Sequence, residues 1–441
     1  MAGGSSLPVS VQTSTPVSGT GNKYFLPLVV LTSLFFMWGF ITCLNDIIIP
    51  HLKGIFELNY AQAMLVQFAF FTAYFIVSLP SGAIVTKLGY KNGIIIGLCT
   101  AGLGCLMFYP AAGQRSYGLF LLALFVLASG ITLLQVAANP FVAVLGKPET
   151  ASSRLTLTQA LNSLGTTVAP LFGSMLILST TAKSGDEIKQ MTPAAAEAYR
   201  LAEASSVQTP YVGLAAALLV LAVFIAVFRL PKIEAASGGE HAVGGEPLHK
   251  TAWGYRHLVL GAVAIFVYVG AEVAIGSVLV NYFKEPAIGG LPEAQGAKYV
   301  SFYWGGAMIG RFIGTGTLRL FRPGKVLAFH ALGAAVLVVL TMATTGQAAM
   351  WSIIAVGLFN SIMFPTIFTI AIEGLGKHTS QGSGILCMAI VGGALIPPLQ
   401  GVLADNIGLH YCFLIPVVCY LFIAWYGAKG HPTSTTVKAA A

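Results

Sequence analysis

Long stretches of this sequence contain no Asp, Glu, Lys or Arg, and their length restricts what the chain can become. Uncharged runs cover 58–86, 92–114, 116–146, 155–182, 204–228, 378–404 and 406–428. Each is longer than the ~20 residues an α-helix needs to cross the hydrocarbon core of a bilayer. The run 326–372 is long enough for two spans and breaks at the small polar patch Thr344–Gln347. Adding the spans that hold Asp46, Glu272 and Arg311 predicts an all-α polytopic membrane protein of twelve transmembrane helices. Composition excludes a soluble globular chain: 56% of the 441 residues are hydrophobic and only 9% charged, against about 25% charged in soluble domains.

The basic residues sort by side. With the N-terminus inside, 15 of the 23 Lys and Arg fall in cytoplasmic segments (among them Lys23, Lys87, Lys91, Arg319, Arg322 and Lys325), 7 in external loops and Arg311 within a span. Cytoplasmic loops are enriched in positive charge, so both termini are expected in the cytoplasm. The external side holds 8 of the 15 acidic residues, which leaves the +8 net charge mainly where an anionic inner leaflet attracts it. It carries no nucleic-acid signal. Residues 1–22 are Ser/Thr/Gly-rich and predict a disordered cytoplasmic tail. The apolar run that follows is too long for a secretory signal and lacks a small-residue cleavage site. All six cysteines lie in predicted spans, as packing residues rather than a disulfide framework, and the eight histidines show no ligand spacing.

An internal repeat organises the chain. The segments GTTVAPLFG at 165–173 and GALIPPLQG at 393–401 share a Gly, a Pro five later and a Gly three after that. Tyr24 and Tyr255 at the starts of spans 1 and 7, the basic turns at Lys87 and Arg319, and Pro140 and Pro365 recur at nearly the same offset, within 225–232. Six helices separate the copies, so both halves run in the same sense about an axis along the membrane normal. The expected organisation is a six-helix bundle over 23–229, a polar cytoplasmic linker over 230–253, a second six-helix bundle over 254–428 and a cytoplasmic tail over 429–441.

The repeat also relates polar residues. Gln135 and Asn360 each lie five positions before a proline, and Asp46 and Glu272 are separated by the offset of the repeat, so the two acids are pseudo-symmetry mates. Ionisable groups at bilayer depth cost on the order of 3 kcal/mol or more and mark substrate or ion pathways. Asp46, shortly before Pro50, also suits a helix end at the interface. Glu272 lies ~24 Å along its span at the usual helical rise. Arg311 suits a ligand contact, a pairing with a carboxylate, or a side chain snorkelling from span 8. Gln159 and Asn162 share a helical face and suit either a ligand or helix–helix hydrogen bonding. The predicted spans further carry Gln67, Asn139 and Asn281 beside Trp38, Tyr268 and Trp304. Carboxamides match adjacent hydroxyls and aromatic faces match C–H surface, which points to a small neutral sugar.

The strings LNDIIIPHLK at 44–53, FTAYFIVSLPSGAIVTKLGYKNG at 71–93, AANPFVAVLG at 137–146, SSRLTLTQALNSLGTTVAP at 152–170 and FPTIFTIAIEGLG at 364–376 resemble the fucose–galactose–glucose permease branch of the major facilitator superfamily. The resemblance covers nearly the whole chain and runs closer to its bacterial glucose/galactose transporters. It implies the major facilitator fold, two pseudo-symmetric six-helix bundles, alternating access, a bacterial inner-membrane location and a monomer. A cavity lined by spans 1, 4, 7 and 10 would hold Asp46, Gln135, Glu272 and Asn360. Gln159 and Asn162 are carried over as sugar contacts and Arg311 as a cavity residue; Tyr268 is counted among the substrate-binding residues as an aromatic beside these carboxamides. Three positions depart from the pattern: Thr86 stands where an acid is usual, so the salt bridge that acid supports is not expected here. Gln135 stands where the fucose pattern has its span-4 acid, while Glu272 is an acid where that pattern has an amide.

The expected function is cation-coupled hexose symport, with Asp46 as coupling site and Glu272 as coupling or sugar-binding residue. Burial disfavours the charged form of a carboxyl, so a proton fits. Sodium at Asp46 fits as well, since hard cations favour carboxylate and carbonyl oxygens. No resident cofactor is expected. An uncoupled sugar uniporter and a fucose-specific proton symporter are the alternatives. An enzyme is not expected, because no GxxxxGK[ST], GxSxG or HExxH occurs.

Overall fold

The uncharged runs become helices, and most of the isolated charges that interrupt them, Glu272 and Arg311 among them, stay inside helices. The computed structural model describes residues 24–56, 60–114, 116–176, 190–231 and 249–430. The proposed tail 1–22, most of the linker 230–253 and most of the tail 429–441 lie outside the described residues. Phe25–Phe56 is α1. Tyr60–Gly113 is a helical stretch turned at Gly89, whose φ of 81° and ψ of 164° suit a residue without Cβ, so it supplies α2 (60–88) and α3 (90–113). Tyr117–Val144 is α4, capped by Ser116, whose hydroxyl accepts from the Leu119 N–H. Ala151–Leu176 is α5, and Pro193–Val227 is α6.

In the second half, Arg256–Lys284 is α7, Glu293–Leu320 α8 and Pro323–Ala343 α9. Gly346–Asn360 and Met363–Ile372 together form α10. Thr379–Met388 and Gly392–Ile407 form α11, joined by a 3-10 turn. Leu414–Trp425, ending in a π turn over Tyr426–Gly430, is α12. Among the described residues 8 stretches are long and apolar enough to cross a membrane. One of these, Phe68–Gly113, contains both α2 and α3, and α5, α8 and α12, more polar or shorter, complete the twelve.

The segment 192–206 reads in the sequence as a short external helix. In the structure it forms the first turns of α6: the Thr192 hydroxyl accepts from the Ala195 N–H at 3.4 Å, Pro193 opens the helix, and it continues past Pro210. No glycine interrupts these residues, so nothing ends the helix before the span begins.

The repeat is visible in the packing. α5 crosses α1 so closely that a Cβ on Gly165 would stand 2.2 Å from the Phe36 carbonyl oxygen, and α11 crosses α7 with a Cβ on Gly392 2.0 Å from the Phe266 carbonyl oxygen. Small residues at such crossings let helix backbones approach where no hydrophobic force drives association in lipid. Corresponding crossings in the two halves thus each rest on a glycine, one position apart in the register of the repeat.

The halves join at the end carrying Lys87, Lys91, Arg319 and Arg322, here called the basic end. Ser152 Oγ and Thr369 Oγ1 share a hydrogen bond of 2.7 Å, Ser153 donates to the Thr315 carbonyl at 2.7 Å, and Arg319 Nε donates to Ser153 Oγ at 3.2 Å. On the other side of the interface Ser383 donates to the Val136 carbonyl at 2.8 Å. A Cβ on Gly82 would meet the Ser380 carbonyl oxygen at 2.9 Å and one on Gly384 the Ser78 carbonyl oxygen at 2.7 Å. Thr86 bonds back to the Gly82 carbonyl of its own helix at 2.8 Å.

Candidate functional site

Glu272 sits in the middle of α7, half-buried. Tyr268, one turn earlier, donates its hydroxyl to Glu272 Oε1 at 2.8 Å and reaches the Asn360 carbonyl at 3.2 Å. Tyr303, on α8, donates to the Glu272 backbone carbonyl at 3.3 Å and accepts from Asn360 Nδ2 at 2.7 Å. Three helices of the second half, α7, α8 and α10, therefore meet at Glu272: one phenol donates to its carboxylate, the other to its backbone carbonyl, and Asn360 bonds to both phenols. Asn360 is where the two pieces of α10 join, and it is fully buried with its amide turned to Tyr303.

Arg311 reaches in two directions from α8. Its Nε donates to the Ser361 carbonyl at 3.2 Å within its own half, and its Nη1 donates to the hydroxyl of Ser163 on α5 of the other half. One turn earlier on α8, Met308 Sδ accepts from Thr167 at 3.4 Å. The guanidinium thus bridges the two bundles, from beside Asn360 in one to Ser163 in the other.

The first half contributes carboxamides. Gln135, on α4, donates to the Tyr74 hydroxyl on α2 at 2.5 Å. Asn162 donates to the Phe35 carbonyl of α1 at 2.9 Å, next to Gly39, which leaves room for it. Gln159 is buried, and its backbone carbonyl accepts from Ser163 at 3.1 Å. Its side-chain amide makes no hydrogen bond among the described residues. α5 thereby places Gln159, Asn162 and Ser163 between α1 and Arg311. Asp46 lies within α1, which runs on past Pro50 to Phe56, so it is not a helix-end residue. Its side chain, like that of Gln67, lies outside the described residues.

The structure brings Glu272, Tyr268 and Asn360 into one hydrogen-bonded group and carries Arg311 from that half to Ser163 of the other. Trp38 does not join them: it is 9% exposed and lines an apolar pocket with Leu34, Ile41 and Leu98 inside the first bundle. Asn281 is exposed, and Asn139 is buried with no partner for its amide among the described residues. Tyr303, Tyr74, Ser163 and Ser361 are additional members that sequence reasoning missed. The repeat held a signal for two of them, since Tyr74 and Tyr303 are separated by the same offset as the other related pairs.

Comparison with known proteins accounts for this arrangement. The sequence profile of the family described as Major Facilitator Superfamily matches residues 29–390. The chain is 57% identical over 427 residues to a Brucella abortus protein named glucose/galactose transporter, covering 96% of this chain and 99% of that one. It is 37% identical over 422 residues to the L-fucose-proton symporter of Escherichia coli, covering 95% and 96%. A crystal structure of FucP in the outward conformation superposes with a TM-score of 0.86 at 36% identity, over 93% of this chain and 100% of that one.

Proposed function

The chain belongs to the major facilitator superfamily, and from that premise we propose that it is a secondary active transporter carrying a glucose- or galactose-type hexose together with a proton. The observation that carries this reading is the Glu272 group: a carboxylate within a membrane span that accepts from Tyr268, on a residue whose backbone carbonyl accepts from Tyr303, the phenol bonded to Asn360. The name of the Brucella relative supports the hexose, and that of the Escherichia coli relative supports the proton.

Protonation changes what Glu272 offers a sugar. As a carboxylate it only accepts hydrogen bonds, whereas as an acid it also donates one. With Tyr268 held on Oε1, the other oxygen is free to switch role. Asp46, its mate in the first half, is the second coupling residue, and Gln135, Gln159, Asn162, Tyr268, Arg311 and Asn360 form the polar surroundings of the sugar. Arg311, held by Ser163 and the Ser361 carbonyl, links the site to the fit between the halves.

The basic end is cytoplasmic by the charge asymmetry of the loops, and the halves meet there, so this conformation faces outward. The contacts closing it are mostly hydroxyl-to-carbonyl or hydroxyl-to-hydroxyl bonds, each with a net contribution of about 1 kcal/mol. Ligands shift such an equilibrium only by their differential affinity for the two states. A proton and a sugar that each favour the inward state by a few kcal/mol are sufficient to open it.

The test is transport in proteoliposomes. Counterflow and accumulation of labelled galactose and glucose are measured under imposed pH or sodium gradients for wild type, Asp46→Asn and Glu272→Gln. Wild type should concentrate sugar with the pH gradient alone. Counterflow kept with accumulation lost marks a coupling residue. Accumulation by both variants would defeat the carboxylate mechanism, dependence on the sodium gradient would replace the proton by sodium, and no accumulation under any gradient would make the protein a uniporter.

A further inference from the structure

Trp304 of α8 is an exposed aromatic ring beside the Glu272 group. We propose that Trp304 is the platform on which the C–H face of the hexose ring stacks, and that it sets the preference for a cyclic sugar over an open-chain polyol. This rests on the hexose reading above.

The direction of the ring follows from the faces of α8. Tyr303, Ala307, Gly310, Gly314 and Leu318 are buried against the second bundle, and Phe302, Ile309, Ile313 and Leu320 are exposed as an apolar stripe that suits lipid. At about 100° per residue, a third stripe of Trp304, Met308, Arg311 and Thr315 lies well away from the lipid stripe. Three of its members contact the first bundle: Met308 accepts from Thr167, Arg311 donates to Ser163, and the Thr315 carbonyl accepts from Ser153. Trp304 continues this stripe one turn beyond Met308, away from the basic end. It is 46% exposed there, where the halves are no longer held together by those bonds.

The neighbours of the ring are suited to stacking. A Cβ on Gly276 of α7 would stand 3.1 Å from Trp304 Cζ2, so glycine leaves the indole lying against the helix backbone with its other surface open. Gly276 is one turn beyond Glu272, a neighbour on the helix surface. Tyr303, which donates to the Glu272 carbonyl, meets the Trp304 ring edge-to-face at 5.1 Å and fixes it laterally. The indole N–H has no hydrogen-bond partner among the described residues and is free to donate to a sugar oxygen. An aromatic face takes up the apolar side of a pyranose while the polar tip holds a hydroxyl. An acyclic polyol has no such flat C–H face to offer.

The test uses the full-length protein in proteoliposomes, with D-galactose and its open-chain alcohol as probes and affinities from calorimetry. Trp304→Ala and Trp304→Leu should each weaken galactose binding by about ten-fold or more and leave the weak affinity for the open-chain alcohol unchanged. Trp304→Phe should stay within a few-fold of wild type while losing the galactose-induced change in tryptophan emission. Gly276→Ala, which keeps the indole but crowds it, should weaken binding a few-fold. Iodide, acting from water, should quench the Trp304 contribution more than brominated lipid does. Wild-type affinity in the Ala and Leu variants, or quenching by brominated lipid alone, would overturn the platform. Absence of any galactose binding by wild type would instead remove the hexose reading, and this proposal with it.

Discussion

Asn360 donates a hydrogen bond to Tyr303 at 2.7 Å, from α10 to α8, and Gln135 makes the equivalent bond to Tyr74 at 2.5 Å, from α4 to α2. The two carboxamides, and likewise the two phenols, are separated by the offset of the internal repeat, so one amide–phenol pair has been retained in both halves. The two pairs differ in exposure, and the difference has a measurable consequence.

Asn360 is 0% exposed and Gln135 6%, so the second lies nearer the surface of its site. Tyr303→Phe should cost about 1–3 kcal/mol of stability by leaving Asn360 Nδ2 buried without a partner. Tyr74→Phe should cost less. Thermal unfolding of both variants in detergent checks the order, and a larger loss in Tyr74→Phe would contradict it.

The Arg311–Ser163 bond ties the halves together. Ser163→Ala should loosen the closed basic end by about 0.5–1.5 kcal/mol. Spin labels at Thr150 on the first half and Leu320 at the end of α8 should then show a larger population at long distance. In the Arg311→Gln background, the serine substitution should add little. Additive effects would show that the two side chains do not act through each other.

Glu272→Gln keeps an oxygen to accept from Tyr268 but removes the proton-binding group. Wild-type uptake driven by an alkaline interior should rise as the outside is acidified, because loading occurs from the outside. The variant should show a flat profile over the same range, with exchange retained. A wild-type slope in Glu272→Gln would assign coupling to another group.

Glycine substitutions separate close helix crossings from open ones. Gly165→Ala and Gly392→Ala force a methyl against a backbone carbonyl that cannot rotate away, at 2.2 and 2.0 Å, and each should cost about 1–3 kcal/mol. Gly213→Ala on α6 has nothing within 4 Å. It should be neutral or stabilising by up to about 1 kcal/mol, because alanine suits a helix interior better. Melting temperatures of the three variants provide the comparison.

Span number and the break at Thr344–Gln347 were legible in the sequence, because apolar length and polar interruption are local properties. The pairing of Gln135 with Asn360 was legible as an offset. The phenols those amides bond to were not singled out, because a tyrosine in an apolar run reads as ordinary packing until a partner helix faces it. The extent of α6 was not legible, since the Thr192–Pro193 opening marks where a helix begins but says nothing of where it ends.

The sequence by itself determined an all-helical, twice-repeated membrane chain with carboxylates and amides inside its spans, because burial in lipid demands helices and makes each internal charge costly. Tertiary structure decided which of those side chains meet. The rotation of each helix about its axis is set by packing against its neighbours at crossings such as Gly165 on Phe36 and Gly392 on Phe266. That rotation turned Trp38 into the first bundle, set Trp304 on the stripe that faces the other half, and carried Arg311 across to Ser163.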